Sequence, residues 1–262
     1  MSAGDDELTD DAIAGGWRIK QRRRGHRYSL DDVATAWEAT LVQPDAQSCL
    51  DLGCGIGSVL LMIAYKLPRA RIVGLEAQKE SFDLAYENVT RNGLAARTTL
   101  WLGDLRDRFA LERLPHRPFE LVTGTPPYFA PDAVTPSPDP QRAAARVELR
   151  GGVEEYVRAA TLVLAPGGLF VVCADARKPE RVLETAREAG LVPLRQRDVI
   201  PRAAHKGALF TLWTLGHARE GGTLELAPPL VARDSDGART SDAHALRRHF
   251  DLAVDESEPA SG

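Results

Sequence analysis

An α/β fold with a seven-stranded, mostly parallel sheet flanked by helices is predicted for this 262-residue chain. Between residues 48 and 216, short apolar runs alternate with stretches of helical period, the pattern of strand–helix–strand units. The first run turns through Gly53-Cys54-Gly55-Ile56-Gly57, a glycine-rich bend that lets the backbone approach a ligand closely. Three successive runs end in an acid, Asp51, Glu76 and Asp104, which places three carboxyl groups along the sheet edge where such folds bind ligands.

Residues 48–52 form the first strand, and the helix after the glycine turn spans 58–67, where Pro68 stops it. Residues 71–75 are the second strand. The stretch 79–92 carries Phe82, Ala85, Tyr86 and Val89 at helical spacing and ends before Gly93. Strands at 98–102, 119–123 and 169–174 follow, with helices at 153–164 and 179–189 and a Pro166-Gly167-Gly168 turn. Residues 191–197 and 208–216 have no long helix between them, so they are expected as an antiparallel pair closing the sheet edge.

The domain is expected to span 16–216. Residues 1–15 and 217–262 are rich in Asp, Glu, Gly, Ser and Pro and poor in large apolar groups, and are expected as mostly disordered acidic tails. A short helix at 243–254 has no obvious apolar face to dock. A composition of 44% hydrophobic and 27% charged residues excludes collagen, whole-chain disorder and a membrane bundle. No apolar run is long enough to span a bilayer, and the acidic N-terminus is unlike an export signal. Cys49, Cys54 and Cys173 are odd in number and lack metal-ligand spacing, which argues against a disulfide framework or a zinc site and for a reducing cytoplasm.

The net charge of −4 hides segregation. Residues 17–28 hold six bases and no acid, whereas residues 1–16 hold five acids and no base. Arg22, Arg23, Arg24 and Arg27, with Arg142 and Arg146 in the Pro-rich loop after the fourth strand, are candidate phosphate contacts on a nucleic acid. Only five of the 33 basic residues are Lys, so richness in Arg is not by itself a nucleic-acid signal.

The glycine turn departs from a dinucleotide fingerprint, because Ser58 stands where the last glycine would be. Glu76, 21 residues past Gly55, can accept from both hydroxyls of a ribose, and Asp104 can accept from an adenine amino group. Ala77 and Leu105, which follow these acids, complete a set that points to S-adenosylmethionine. The fourth strand leads into Thr125-Pro126-Pro127-Tyr128-Phe129. Its prolines fix the backbone so that a carbonyl faces a ligand, and the polar side chain before them adds a second acceptor. An exocyclic amine can donate to both while an aromatic ring stacks on its base. Such chemistry is mainly orientation in a dry site and requires no metal, covalent intermediate or dedicated base; His26 and His205 are expected as surface histidines.

Thr125–Phe129 resembles motif IV of amino-group methyltransferases. Together with Gly25-His26-Arg27-Tyr28-Ser29-Leu30-Asp31, the Asp51–Gly57 loop, Glu76-Ala77-Gln78 and the 142–148 loop, it is similar to the bacterial valine-tRNA adenine-N6 methyltransferase family. The resemblance covers residues 16–216 and implies a Rossmann-like class I methyltransferase fold, S-adenosylmethionine as donor and tRNA as partner; a monomer without membrane contact is expected. By position it implies that Tyr28 and Ser29 flank the methionine end of the cofactor and that Glu76 takes its ribose. Thr125 stands where the family carries Asn. Three other functions remain open: methylation of a protein glutamine amide, met in release-factor methyltransferases by a related Pro-Pro-Tyr motif, methylation of another nucleobase amine, and non-catalytic RNA binding. The chain shows no helical N-terminal substrate domain of the kind release-factor enzymes carry, which ranks the first of these lower.

Overall fold

The computed structural model describes residues 7–128, 141, 147–148, 151–218 and 223–253. A hairpin comes first, β1 (Leu8–Ala14) and β2 (Trp17–Arg22), followed by helix α1 (Leu30–Val42). The alternating body follows: β3 (Ser48–Leu52), α2 (Ser58–Lys66), β4 (Arg71–Glu76), α3 (Lys79–Arg91), β5 (Thr98–Leu102), α4 (Arg108–Glu112) and β6 (Phe119–Gly124). Then come α5 (Val153–Val163), β7 (Leu164–Asp175), α6 (Pro179–Glu188), β8 (Leu191–Ile200) and β9 (Phe210–His217). Two short strands, β10 (Glu225–Leu226) and β11 (Leu230–Val231), and helix α7 (Ser241–His249) complete the described chain.

The main sheet runs β10-β8-β9-β7-β6-β3-β4-β5, with β11 also paired to β8. Strands β5, β4, β3, β6 and β7 are parallel, and β9 lies antiparallel between β7 and β8. All seven expected strands are present, and β10 and β11 extend the edge to nine. Side-chain alternation along the strands supplies two cores. Cys49, Ile72, Leu121 and Val171 pack with α2 and the hairpin on one face. Leu50, Val73, Val122 and Phe170 pack with α5 and α6 on the other. The reversal of strand order between β3 and β6 opens a crevice at the carboxyl edge, above the ends of β3, β4 and β6.

Both segments expected as disordered tails hold ordered structure. β1 pairs with β2 along its length, and Ile13 and Ala14 are fully buried, so two apolar residues and a strand partner suffice to order an acidic segment. At the other end α7 docks through Leu246 and Phe250, each nearly or fully buried. Burying one such side chain contributes about 1.5–3 kcal/mol. The Gly15 N–H donates to the Phe250 carbonyl at 2.7 Å, joining the two ends. Helix α1, which carries no strong apolar pattern, is held by Glu38. Buried at 1% exposure, its carboxylate accepts from Arg195 (2.6 Å) and Arg197 (2.7 Å) of β8.

Candidate active site

The turn from β3 into α2 is built on left-handed glycines, Gly53 at φ +62° and Gly55 at φ +56°. The two differ in surroundings. A Cβ on Gly53 would lie 2.3 Å from the Tyr156 hydroxyl, whereas one on Gly55 would meet nothing within 4 Å. Gly55 therefore faces open space, a cavity of about 610 Å³ at the carboxyl edge of the sheet. That volume is in the range of small-molecule sites.

Glu76, at the end of β4, is 6% exposed and lines this cavity. Its carboxylate accepts from the Gly55 N–H (2.9 Å) and the Gln78 N–H (2.7 Å), one bond to each oxygen, which fixes it across the glycine turn. Gly53, Ala77, Asp104 and Leu105 line the same cavity. The Asp104 carboxylate is not idle, because Arg106 donates to it from its backbone (2.9 Å) and twice from its guanidinium (2.9 and 2.6 Å).

From β6, Thr125, Pro126, Pro127 and Tyr128 reach the cavity, so the motif and the glycine turn share one space. Ser29, Asp31 and Asp32 at the start of α1 join them. The Tyr128 hydroxyl donates to Asp31 at 3.3 Å, and the Ser29 hydroxyl donates to the other Asp31 oxygen. Asp32 accepts from the Ser29 N–H (2.9 Å) and from the Ser58 hydroxyl (3.1 Å). Burial, reinforced by the neighbouring Asp31, pushes its carboxyl up to about 8. Burial likewise raises the Tyr128 hydroxyl.

Three expected cofactor contacts stand elsewhere. Asp51 is 2% exposed beneath the glycine turn, where it accepts from the Thr123 hydroxyl at 2.9 Å; it does not border the cavity, and burial pushes its carboxyl up to about 7. Tyr28 packs against the core and donates to the Ala12 carbonyl at 2.8 Å, outside the cavity lining. Gly57 caps α2 and also lies outside it. Their neighbours supplied the pattern, but the fold turns these groups inward.

Of the basic stretch, Arg23, Arg24 and Arg27 line the cavity and Arg22 does not. Much of its charge is met by acids. Arg22 pairs with Glu80 (2.7 Å), Arg23 with Glu7 (2.8 Å), Arg27 with Asp11 (3.0 Å) and Arg18 with Asp10 (3.0 Å). The N-terminal acids thus fold back on the bases that follow them. Phe129, Arg142 and Arg146 lie outside the described residues.

Sequence reasoning assigned no role to Asp32, Ser58 or Tyr156. A carboxylate in the first turn of a helix is ordinary capping, and only the packing of α1 against the sheet brings it to the cavity. Among the described residues no group of three or more His, Cys, Asp or Glu is placed to hold a metal ion, and no helix is long and apolar enough to cross a membrane.

The open cradle at Gly55, the backbone-fixed Glu76 and the polar Asp104 turn fit a nucleoside-bearing ligand such as S-adenosylmethionine. Comparison with known proteins agrees with the geometry. The family described as methyltransferase small domain matches residues 27–189. A release factor glutamine methyltransferase of Moorella thermoacetica is 30% identical over 188 residues, 68% of this chain and 64% of that protein. A tRNA1(Val) (adenine(37)-N6)-methyltransferase of Porphyromonas gingivalis is 31% identical over 122 residues, 47% of each chain. The chain thus spans between about half and two thirds of the length of these curated relatives. Among solved structures, a predicted O-methyltransferase of Agrobacterium tumefaciens superposes with a TM-score of 0.64 at 18% identity, covering 86% of this chain and 98% of that one, a likeness of fold. With the family match extending over more than half of its length, the chain belongs to the methyltransferase small domain family, class I methyltransferases that use S-adenosylmethionine.

Proposed function

We propose that the protein methylates an exocyclic amino group, adenine N6 in a tRNA, with S-adenosylmethionine as donor. The observation that carries this reading is that Thr125-Pro126-Pro127-Tyr128 lines the same cavity as Gly55 and Glu76. Glu76 would hold the ribose hydroxyls, the Asp104–Leu105 turn the adenine and Ser29 the methionine end. Bound there, the donor supplies a methyl group as a sulfonium electrophile. An aromatic amine is a poor nucleophile because its lone pair is delocalised into the ring. The Thr125 hydroxyl and the Pro126 carbonyl would accept its two N–H bonds, favouring a tetrahedral nitrogen with its lone pair directed at the methyl group. Tyr128, braced by Asp31, provides an aromatic wall for the base. The surplus proton leaves the nitrogen for water after transfer.

Arg23, Arg24 and Arg27 border the same cavity and turn positive charge toward a polyanionic substrate, part of it offset by Glu7 and Asp11. A glutamine amide is the second reading, favoured by the Moorella thermoacetica relative, and its planar nitrogen poses the same problem. Labelled methyl transfer to unmodified tRNA transcripts and to a release factor, with products identified by mass, separates the two. N6-methyladenosine is the expected product. Methylglutamine alone would replace the substrate assignment, and a labelled product in neither would overturn the reading.

A further inference from the structure

We infer that the loop between β8 and β9, residues 201–209, is the surface on which the phosphate backbone of the RNA docks. This rests on the RNA reading of the site given above. The loop rises at the same sheet edge as the motif: Gly124 is paired with Val172 of β7, and Asp175, three residues further on, is paired with Phe210, where the loop returns. Leu209, 41% exposed, borders the cavity itself. Between them Arg202, His205 and Lys206 are all exposed, and residues 199–209 contain no acid.

What separates this loop from the basic stretch at 18–27 is pairing. There, Arg18, Lys20, Arg22, Arg23 and Arg27 each meet a carboxylate of this chain. Here, Arg202 and Lys206 form no ion pair among the described residues. A phosphate approaching Arg18, Lys20, Arg22, Arg23 or Arg27 competes with an internal acid, whereas one approaching Arg202 or Lys206 displaces only water and counterions, the exchange that drives backbone binding. The loop is also shaped in advance. The Ala203 N–H donates to the Arg233 carbonyl (2.7 Å), the His205 N–H to the Arg202 carbonyl (2.8 Å), and the Leu209 N–H to the Val199 carbonyl (2.8 Å). In the turn that follows Arg233, one Asp234 oxygen accepts from the backbone of Asp236 and Ala238 at 2.9 Å each. A strand held here would lie beside Leu209, within reach of the cavity where a splayed base enters.

The test is salt-dependent binding of an unmodified valine tRNA transcript by the full chain. The double variant Arg202→Ala/Lys206→Ala should bind roughly tenfold more weakly at 0.1 M salt, with the log–log salt slope reduced by about one to two units. S-adenosylmethionine affinity by calorimetry should be unchanged. The variant Arg18→Ala/Arg91→Ala makes the same change in net charge at residues held by Asp10, and should shift the slope by less than about half a unit. Equal slopes for the parent and the loop variant, with methylation of the transcript intact, would overturn the loop assignment alone. A parent that binds the transcript without salt dependence and methylates only a release factor would overturn both the loop and the RNA reading.

Discussion

The wall of the cavity formed by the turns after β3, β4 and β5 is anchored through backbone groups, with Glu76 locked between the Gly55 and Gln78 amides. The wall formed by α1 and the end of β6 carries polar and ionisable residues, Ser29, Asp31, Asp32, Thr125 and Tyr128, beside the two prolines. Backbone geometry on the first wall selects a shape, and hydroxyls and acids on the second tune a reaction. The two halves should therefore fail separately, one in affinity and the other in turnover.

The largest effect is expected on the first wall. Glu76→Ala removes a charged acceptor and orphans two backbone N–H groups, so S-adenosylmethionine binding should weaken by about 1.5–3 kcal/mol, roughly tenfold to 150-fold in Kd. Calorimetry reads this directly, and an unchanged Kd would mean that the turn wall does not hold the cofactor. Thr125→Val tests the second wall. It keeps the shape and removes an acceptor at a cost of about 1–3 kcal/mol, so single-turnover methyl transfer should drop about tenfold to a hundredfold while Kd barely moves. A Kd that rises in step with the lost rate would dissolve the distinction between the walls. Thr125→Asn, which restores a longer amide acceptor, should hold or raise the rate on adenine.

The same contrast operates within one turn. Gly53→Ala drives a methyl group onto the Tyr156 hydroxyl at 2.3 Å and should cost roughly 1–3 kcal/mol of stability beyond the left-handed backbone penalty common to both sites. Gly55→Ala adds its methyl group to open space, so thermal unfolding should shift less while cofactor affinity falls. Equal melting shifts in the two variants would contradict this division.

The parts of the candidate site that were legible in the sequence are the local ones. The glycine turn, Glu76, Asp104 and Thr125–Tyr128 each sit where an apolar run ends, so strand register alone carries them to one edge. Asp51 shows the limit of that logic: one residue back from the strand end, it points beneath the turn and bonds Thr123 instead. Asp32 and Ser58 meet only after α1 packs on α2, which no local pattern announces. Charge misled in the same way. The acids at Glu7, Asp10 and Asp11 read as a tail, but a seven-residue strand with two buried apolar side chains was enough to fold them onto the arginines. Strand pairing, unlike composition, decides which charges are left for a partner.

The smallest effect tests whether the second wall carries a proton that the first does not. Asp32 has a folded-state pKa of about 8 against an ordinary 3.8, because burial and Asp31 both disfavour its charge. Between about pH 4 and 8 the folded chain keeps a proton that the unfolded chain has released, so this group makes stability fall as pH rises through that window. Asp51, raised to about 7, acts in the same direction over a narrower range. Asp32→Asn removes the first contribution and leaves the second. At pH 5 the parent carboxyl is already neutral, and the variant should melt slightly lower, since one oxygen now serves in place of the two that accepted from Ser29 and Ser58, a loss of about 1 kcal/mol. At pH 8 the parent bears the cost of a buried charge or a retained proton, and the variant should melt higher. The two melting curves plotted against pH should therefore cross between pH 5 and 8. Parallel curves would show that Asp32 keeps no extra proton in the folded protein over this range.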